Sequence, residues 1–149
     1  VEGESMMPTL QDGNKLVVNK LGYQISDLSR FDVIVFHANE KEDFVKRVIG
    51  LPGDKIEFKE DQLFINGEKY KEPFLSVYKQ DIPGIKLTGD FNLKEITGES
   101  TVPEGKLFVL GDNRLGSWDS RHFGFISVNQ VVGKVDLRYW PLNEVDVQF

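Results

Sequence analysis

The chain has 149 residues, 40% of them hydrophobic, with a formal net charge of −6, two histidines and no cysteine. That length suits one domain with room for a smaller inserted lobe. The acidic balance argues against a nucleic-acid binder. The missing thiols exclude cysteine nucleophiles, disulfides and cysteine-held zinc, and His37 and His122 are too few for a three-histidine zinc site.

From the N-terminus, Gly3-Glu4-Ser5-Met6-Met7-Pro8-Thr9-Leu10 sets one serine among apolar side chains, and Pro8 keeps the run from becoming a helix. Strands are expected at 15–19, at 31–37 (Phe-Asp-Val-Ile-Val-Phe-His) and at 44–49. The turn-forming Gly50-Leu51-Pro52-Gly53-Asp54 ends the third. Residues 55–59 alternate polar and apolar. Next, 62–65 and 68–70 flank Asn66-Gly67, whose residues suit the positive φ angles of a type I′ hairpin turn. Residues 71–101 hold Pro73, Pro83, Gly84, Gly89 and Gly98 and read as a loose β lobe with long loops. Strands return at 107–110 and 131–140, around the turn-rich 111–124 and a capping-box turn at Ser127-Val-Asn-Gln130. The expected fold is mostly β with little helix.

Ser5 alone reads as part of a frayed terminus; two later stretches change that. Lys46 lies in Phe44-Val45-Lys46-Arg47-Val48-Ile49. On a strand it shares an apolar face with Phe44 and Val48, while Arg47 points the other way. An ordinary lysine is neutral in about one molecule in 2,500 at pH 7. Burial lowers its pKa by up to about 3–5 units and turns it into a base for a serine hydroxyl. Residues 111–124 (Gly-Asp-Asn-Arg-Leu-Gly-Ser-Trp-Asp-Ser-Arg-His-Phe-Gly) concentrate small polar groups and opposite charges. Ser117 is placed to orient an amine, Asp119 and Arg121 to pair with each other, and Asp112 to satisfy backbone donors of the turn. His122 is an alternative base with no acid placed to fix its tautomer. His37 reads as a surface histidine and Trp118 as a packing or lid residue.

Together these stretches resemble the bacterial type I signal peptidases of the short, Gram-positive kind. Gly-x-Ser-Met-x-Pro-Thr stands at 3–9, a second strand motif at 31–36, Lys-Arg-Val-Ile-Gly-Leu-Pro-Gly-Asp at 46–54 and Gly-Asp-Asn-Arg-x-x-Ser-x-Asp-Ser-Arg-x-x-Gly at 111–124. The resemblance implies antiparallel sheets or a partly closed barrel, with a catalytic β domain (1–54 and 104–149) and an inserted β lobe (55–103). It implies a Ser–Lys serine endopeptidase acting on the signal peptides of secreted preproteins after Ala-x-Ala sites. Ser5 is then the nucleophile and Lys46 the base, supported by Ser117, Asp119, Arg121 and Asp112. Met6, Met7, Leu10, Asp43, Phe44 and Val45 would bind substrate, most of them lining pockets for small residues at −1 and −3.

No metal, nucleotide or organic cofactor is implied, and no nucleic-acid partner. The family carries an N-terminal membrane anchor and works at the extracytoplasmic membrane surface. This chain has no run of about 18 apolar residues and no signal-peptide pattern. It begins abruptly, as expected of a protein whose N-terminal segment has been removed. Trp140 suits either the bilayer surface or the core. Some family members carry a serine that assists the oxyanion where this chain has Gly3, so another donor or water is expected here. Two other classes fit less of the chain. A self-cleaving Ser–Lys repressor domain lacks its DNA-binding helices here, and a non-catalytic β module would not require Ser5 and Lys46.

Overall fold

The structure, a computed structural model, describes residues 3–19, 27–81 and 84–140. Among the described residues, ten strands form two antiparallel sheets. The first has six strands in the order β1-β10-β2-β3-β8-β9. These are β1 (Lys15–Asn19), β2 (Val33–His37), β3 (Asp43–Gly50), β8 (Lys106–Leu110), β9 (Ile126–Ser127) and β10 (Val131–Trp140). The second has four, in the order β6-β5-β4-β7, from β4 (Ile56–Lys59), β5 (Gln62–Ile65), β6 (Glu68–Tyr70) and β7 (Phe91–Asn92). The mostly β fold expected from the sequence is the fold observed.

β-branched and aromatic side chains on β2, β3 and β8 fill both faces of the first sheet. On one face Ile34, Phe36, Val48, Leu107, Val109 and Ile126 form a core. Met6 and Leu10 from the N-terminal turn pack with Val33 and Val135 in a second cluster. A third joins the two sheets through Ile49, Phe108 and Leu110 on one side and Ile56, Phe58, Leu63 and Ile65 on the other. Strand β2 starts two residues later than expected, because Phe31 adopts φ 75°, which a strand cannot accommodate. Asn66 and Gly67 take φ 54° and 84°, as their hairpin turn requires.

Residues 71–101 depart from the expectation of a loose β lobe. They contain a 3-10 turn (Pro73–Leu75), helix α1 (Ser76–Asp81) and helix α2 (Leu93–Thr97), besides the two-residue β7. Pro73 and Gly98, read from the sequence as breakers, are a start and a stop. Pro73 opens the 3-10 turn, where its missing N–H costs nothing, and Gly98 closes α2 at φ 82°. Asn92 caps α2 by accepting the Glu95 N–H.

The register of β3 shapes the site. Its first five residues pair with β2, from His37 opposite Asp43 to Val33 opposite Arg47. Strand β8 joins its other edge only from Arg47 onward. Among the described residues, the Asp43–Lys46 half of that edge has no partner strand.

Candidate active site

Lys46 is 4% exposed, although it sits at the open half of β3. Its ammonium lies 5.4 Å from the Phe44 ring centre and donates to Ser117 Oγ at 3.3 Å. Burial pulls its pKa down from 10.5 to about 8, with Asp119 raising it and Arg121 lowering it.

Behind Ser117 lies Asp119. Burial alone would raise that carboxyl's pKa. Arg121, the Gly111 N–H and the Ser117 hydroxyl outweigh burial and hold it below the ordinary 3.8. Arg121 grips it with two parallel bonds of 2.9 Å, from Nε and Nη2. Asp119 also caps the short helix α3 (Ser120–Phe123), where its own N–H donates to His122 Nδ1 at 3.2 Å. His122 Nδ1 is also 3.7 Å from Asp119 Oδ1. An acid therefore does stand beside His122, contrary to the expectation, but the ring nitrogen serves as a helix cap. His37 is exposed and paired with Asp43.

The N-terminal turn is tied to this loop through its backbone. The Asn113 N–H donates to the Ser5 carbonyl at 2.8 Å, and Asn113 Nδ2 to the Glu4 carbonyl at 3.0 Å. The Asp112 N–H donates to Met6 Sδ at 3.4 Å. Asp112 differs from its expected role. Its carboxylate takes the Arg47 guanidinium at 2.9 and 2.7 Å and the Thr9 hydroxyl, instead of the backbone donors of its turn. Arg47 does face away from Lys46, but into a fully buried ion pair. The roles of Arg47, Thr9 and Asn113 were missed in the sequence. An arginine inside a β-branched run was the one available signal.

Ser5 and Lys46 open onto the same groove, about 500 Å³, which Gly3, Glu4, Met6, Asp43, Phe44, Val45, Gly116 and Trp118 also line. The ammonium's hydrogen bond goes to Ser117 and not to Ser5, as is common in sites without substrate. Of the six residues expected to bind substrate, Met6, Asp43, Phe44 and Val45 reach the groove. Leu10 is fully buried behind Met6, and Met7 is half-buried outside the groove. Phe44 and Val45 line the groove from opposite faces of β3. Strand alternation sends Val45 to the Met6–Leu10 cluster and Phe44 to the cluster with Phe36 and Phe123. The side chain of Trp140 lies outside the described part.

Gly111 is where the two halves of the site touch. A methyl group there would strike Ser117 Oγ, Ser117 Cβ and the Ser5 carbonyl oxygen. We expect Gly111→Ala to push these serines apart and to lower kcat by about 100-fold or more, the scale of an ångström's misplacement. Peptide turnover checked beside a melting curve separates that from unfolding.

The sequence matches the signal peptidase, peptidase S26 family over residues 1–140. It is 64% identical to signal peptidase I of Bacillus caldolyticus over 149 residues, which is 100% of this chain and 82% of that protein.

The chain belongs to the signal peptidase family.

Signal peptidase IB of Staphylococcus aureus (strain MRSA252) is 47% identical over 153 residues, covering 100% of this chain and 80% of its own. A crystal structure of a signal peptidase I from Enterococcus faecalis V583 superposes with a TM-score of 0.68 at 43% identity, over 72% of this chain and 95% of that one. Signal peptidases are proteases that remove signal peptides from preproteins, and in bacteria they are membrane-anchored. No helix among the described residues is long and apolar enough to cross a membrane.

Proposed function

We propose that this signal peptidase cleaves after small residues of an Ala-x-Ala site with Ser5 as nucleophile and Lys46 as general base. The observation that carries the reading is a lysine 4% exposed, with its pKa brought to about 8, opening on the groove that also holds Ser5. A buried lysine of this kind is a neutral base in reach of physiological pH.

The hydrogen-bond directions support it. A carboxylate only accepts, so Ser117 gives its proton to Asp119 and must accept from Lys46. The lone pair of neutral Lys46 is then not used on Ser117 and is left for the Ser5 proton. Substrate adds in extended form to the open edge of β3 at Asp43–Lys46. Its −1 and −3 side chains face Met6 and Val45, where Leu10 closes the floor and leaves room for alanine.

Lys46 takes the Ser5 proton as Ser5 Oγ bonds the scissile carbonyl carbon. The oxyanion is met by the Ser5 N–H, which lies anti to the Glu4 carbonyl that Asn113 holds. The C–N bond breaks as Lys46 returns the proton to the leaving amine. A water deprotonated by Lys46 then releases the acyl group. The setting for this chemistry is the extracytoplasmic membrane surface.

The test is cleavage of an Ala-x-Ala peptide, with the products identified by mass spectrometry. Scission after the second alanine that disappears in Ser5→Ala is expected; turnover by Ser5→Ala would refute the nucleophile. Ser117→Ala should keep the fold and lose roughly 10–100-fold in kcat, because Lys46 loses its orienting acceptor.

A further inference from the structure

A second cavity, of about 290 Å³, adjoins the groove and shares Phe44 and Trp118 with it. Its apolar wall comes from Phe36, Phe44 and Phe123, whose rings meet with centres 6.0–6.5 Å apart. Ala38 also lines it and does not line the groove. The polar Gln130 in its lining is already engaged, donating to the His37 carbonyl and accepting the Ser127 N–H. Trp118 stacks on His122 at 4.4 Å and 15°, which braces it as a wall. Yet Trp118 remains 62% exposed, one of three large apolar side chains so exposed among the described residues. A braced, exposed tryptophan beside a ring-lined cavity has the chemistry of a subsite for an apolar side chain.

We propose that this cavity receives the substrate's −2 side chain and favours a large apolar one, with Trp118 and Phe44 as its specificity-determining residues. The inference rests on the substrate lying along β3. An extended chain alternates its side chains between the two faces of the sheet. If −1 and −3 face Val45 and Met6, −2 faces the side of Phe44, where the cavity opens. The two faces then make opposite demands. The Val45 face is closed by buried Leu10 and Met6. The Phe44 face has an unfilled aromatic pocket; a cavity of about 150 Å³ already holds a benzene ring, and this one is larger. Small at −1 and −3 and large at −2 is therefore one rule, set by strand alternation.

The test compares peptides with an Ala-x-Ala site that differ only at −2, as Gly, Asp, Leu or Phe. Wild-type kcat/KM should be about tenfold or more higher for Phe than for Gly. Ala38→Phe, which fills the cavity from a residue that does not line the groove, should bring that ratio within about twofold while leaving the preference for alanine at −1. Trp118→Ala should also lower the ratio. Equal wild-type rates for Gly and Phe, or a ratio that survives Ala38→Phe, would overturn the proposal.

A second readout needs no turnover. In Ser5→Ala combined with Trp140→Phe, Trp118 is the sole tryptophan of the two in the chain. Saturating Phe-containing peptide should shift its emission to the blue and the Gly peptide should not; bound Phe peptide with unchanged emission would refute the subsite. Failure of wild type to cleave any peptide would instead count against the Ser–Lys reading, with the fluorescence still deciding the cavity.

Discussion

Lys46→Met is expected to abolish cleavage and, at pH 7, to make the protein more stable. Both follow from one lysine held where its charge is unwelcome. With a pKa of about 8, roughly one Lys46 in ten is neutral at pH 7. At its ordinary 10.5 that would be about one in three thousand. Wild-type kcat/KM should rise tenfold per pH unit and level off around pH 8, and the variant should lose at least about 10⁴-fold in rate. The same burial costs stability. Between pH 8 and 10.5 the unfolded chain holds a proton on Lys46 that the folded protein does not, so stability rises with pH across that window. Below pH 8 the penalty is fully present, roughly 3 kcal/mol at 1.36 kcal/mol per pKa unit. Lys46→Met removes it, and the advantage of the variant should close by about pH 10.5. Denaturant titrations at pH 7 and 10.5 beside the pH–rate profile check both halves. An activity midpoint near 10.5, or a variant less stable at pH 7, would contradict the account.

How much of this was legible in the sequence depended on whether a residue's partner was near it in the chain. The Asn66-Gly67 hairpin and the Ser127–Gln130 capping box depend on adjacent residues, and both formed where expected. Lys46 was readable because its neighbours on β3 already make an apolar face. Asp119 and Arg121 are two residues apart, so their pairing could be anticipated. Arg47 and Asp112 are 65 residues apart and Thr9 and Asp112 are 103 apart. No local pattern announces such contacts, and Asp112 was accordingly assigned to its own turn. Phe44 and Val45 both reach the groove, and strand alternation, readable from the sequence, sends their side chains to different clusters. The helices in 71–101 were missed because proline and glycine both break and delimit helices, and only the caps at Asn92 and Gly98 distinguish the two.

Asp112→Ala should destabilise the protein by about 3–5 kcal/mol, the usual effect of stranding one member of a buried ion pair. Both partners are fully buried. The variant removes the carboxylate that takes two bonds from Arg47, whose other contacts include the Phe31 carbonyl at 2.7 Å and the Phe74 ring at 3.9 Å. That loss alone does not distinguish a structural pair from one that positions the nucleophile turn. The double substitution Arg47→Met with Asp112→Leu does. Replacing a buried pair by apolar side chains of similar size is often neutral or stabilising, so the double variant should regain most of the lost stability. The bond from the Thr9 hydroxyl to Asp112, however, which ties the turn carrying Ser5 to the loop carrying Ser117, is still lost. If the pair only holds the fold, rate should return with stability. We expect it not to return: kcat should stay about 100-fold low, with KM for an Ala-x-Ala peptide little changed, because the groove walls on β3 are intact. Recovery of kcat in the double variant would show that the three bonds from Asn113 and Asp112 to Glu4, Ser5 and Met6 suffice to place the nucleophile.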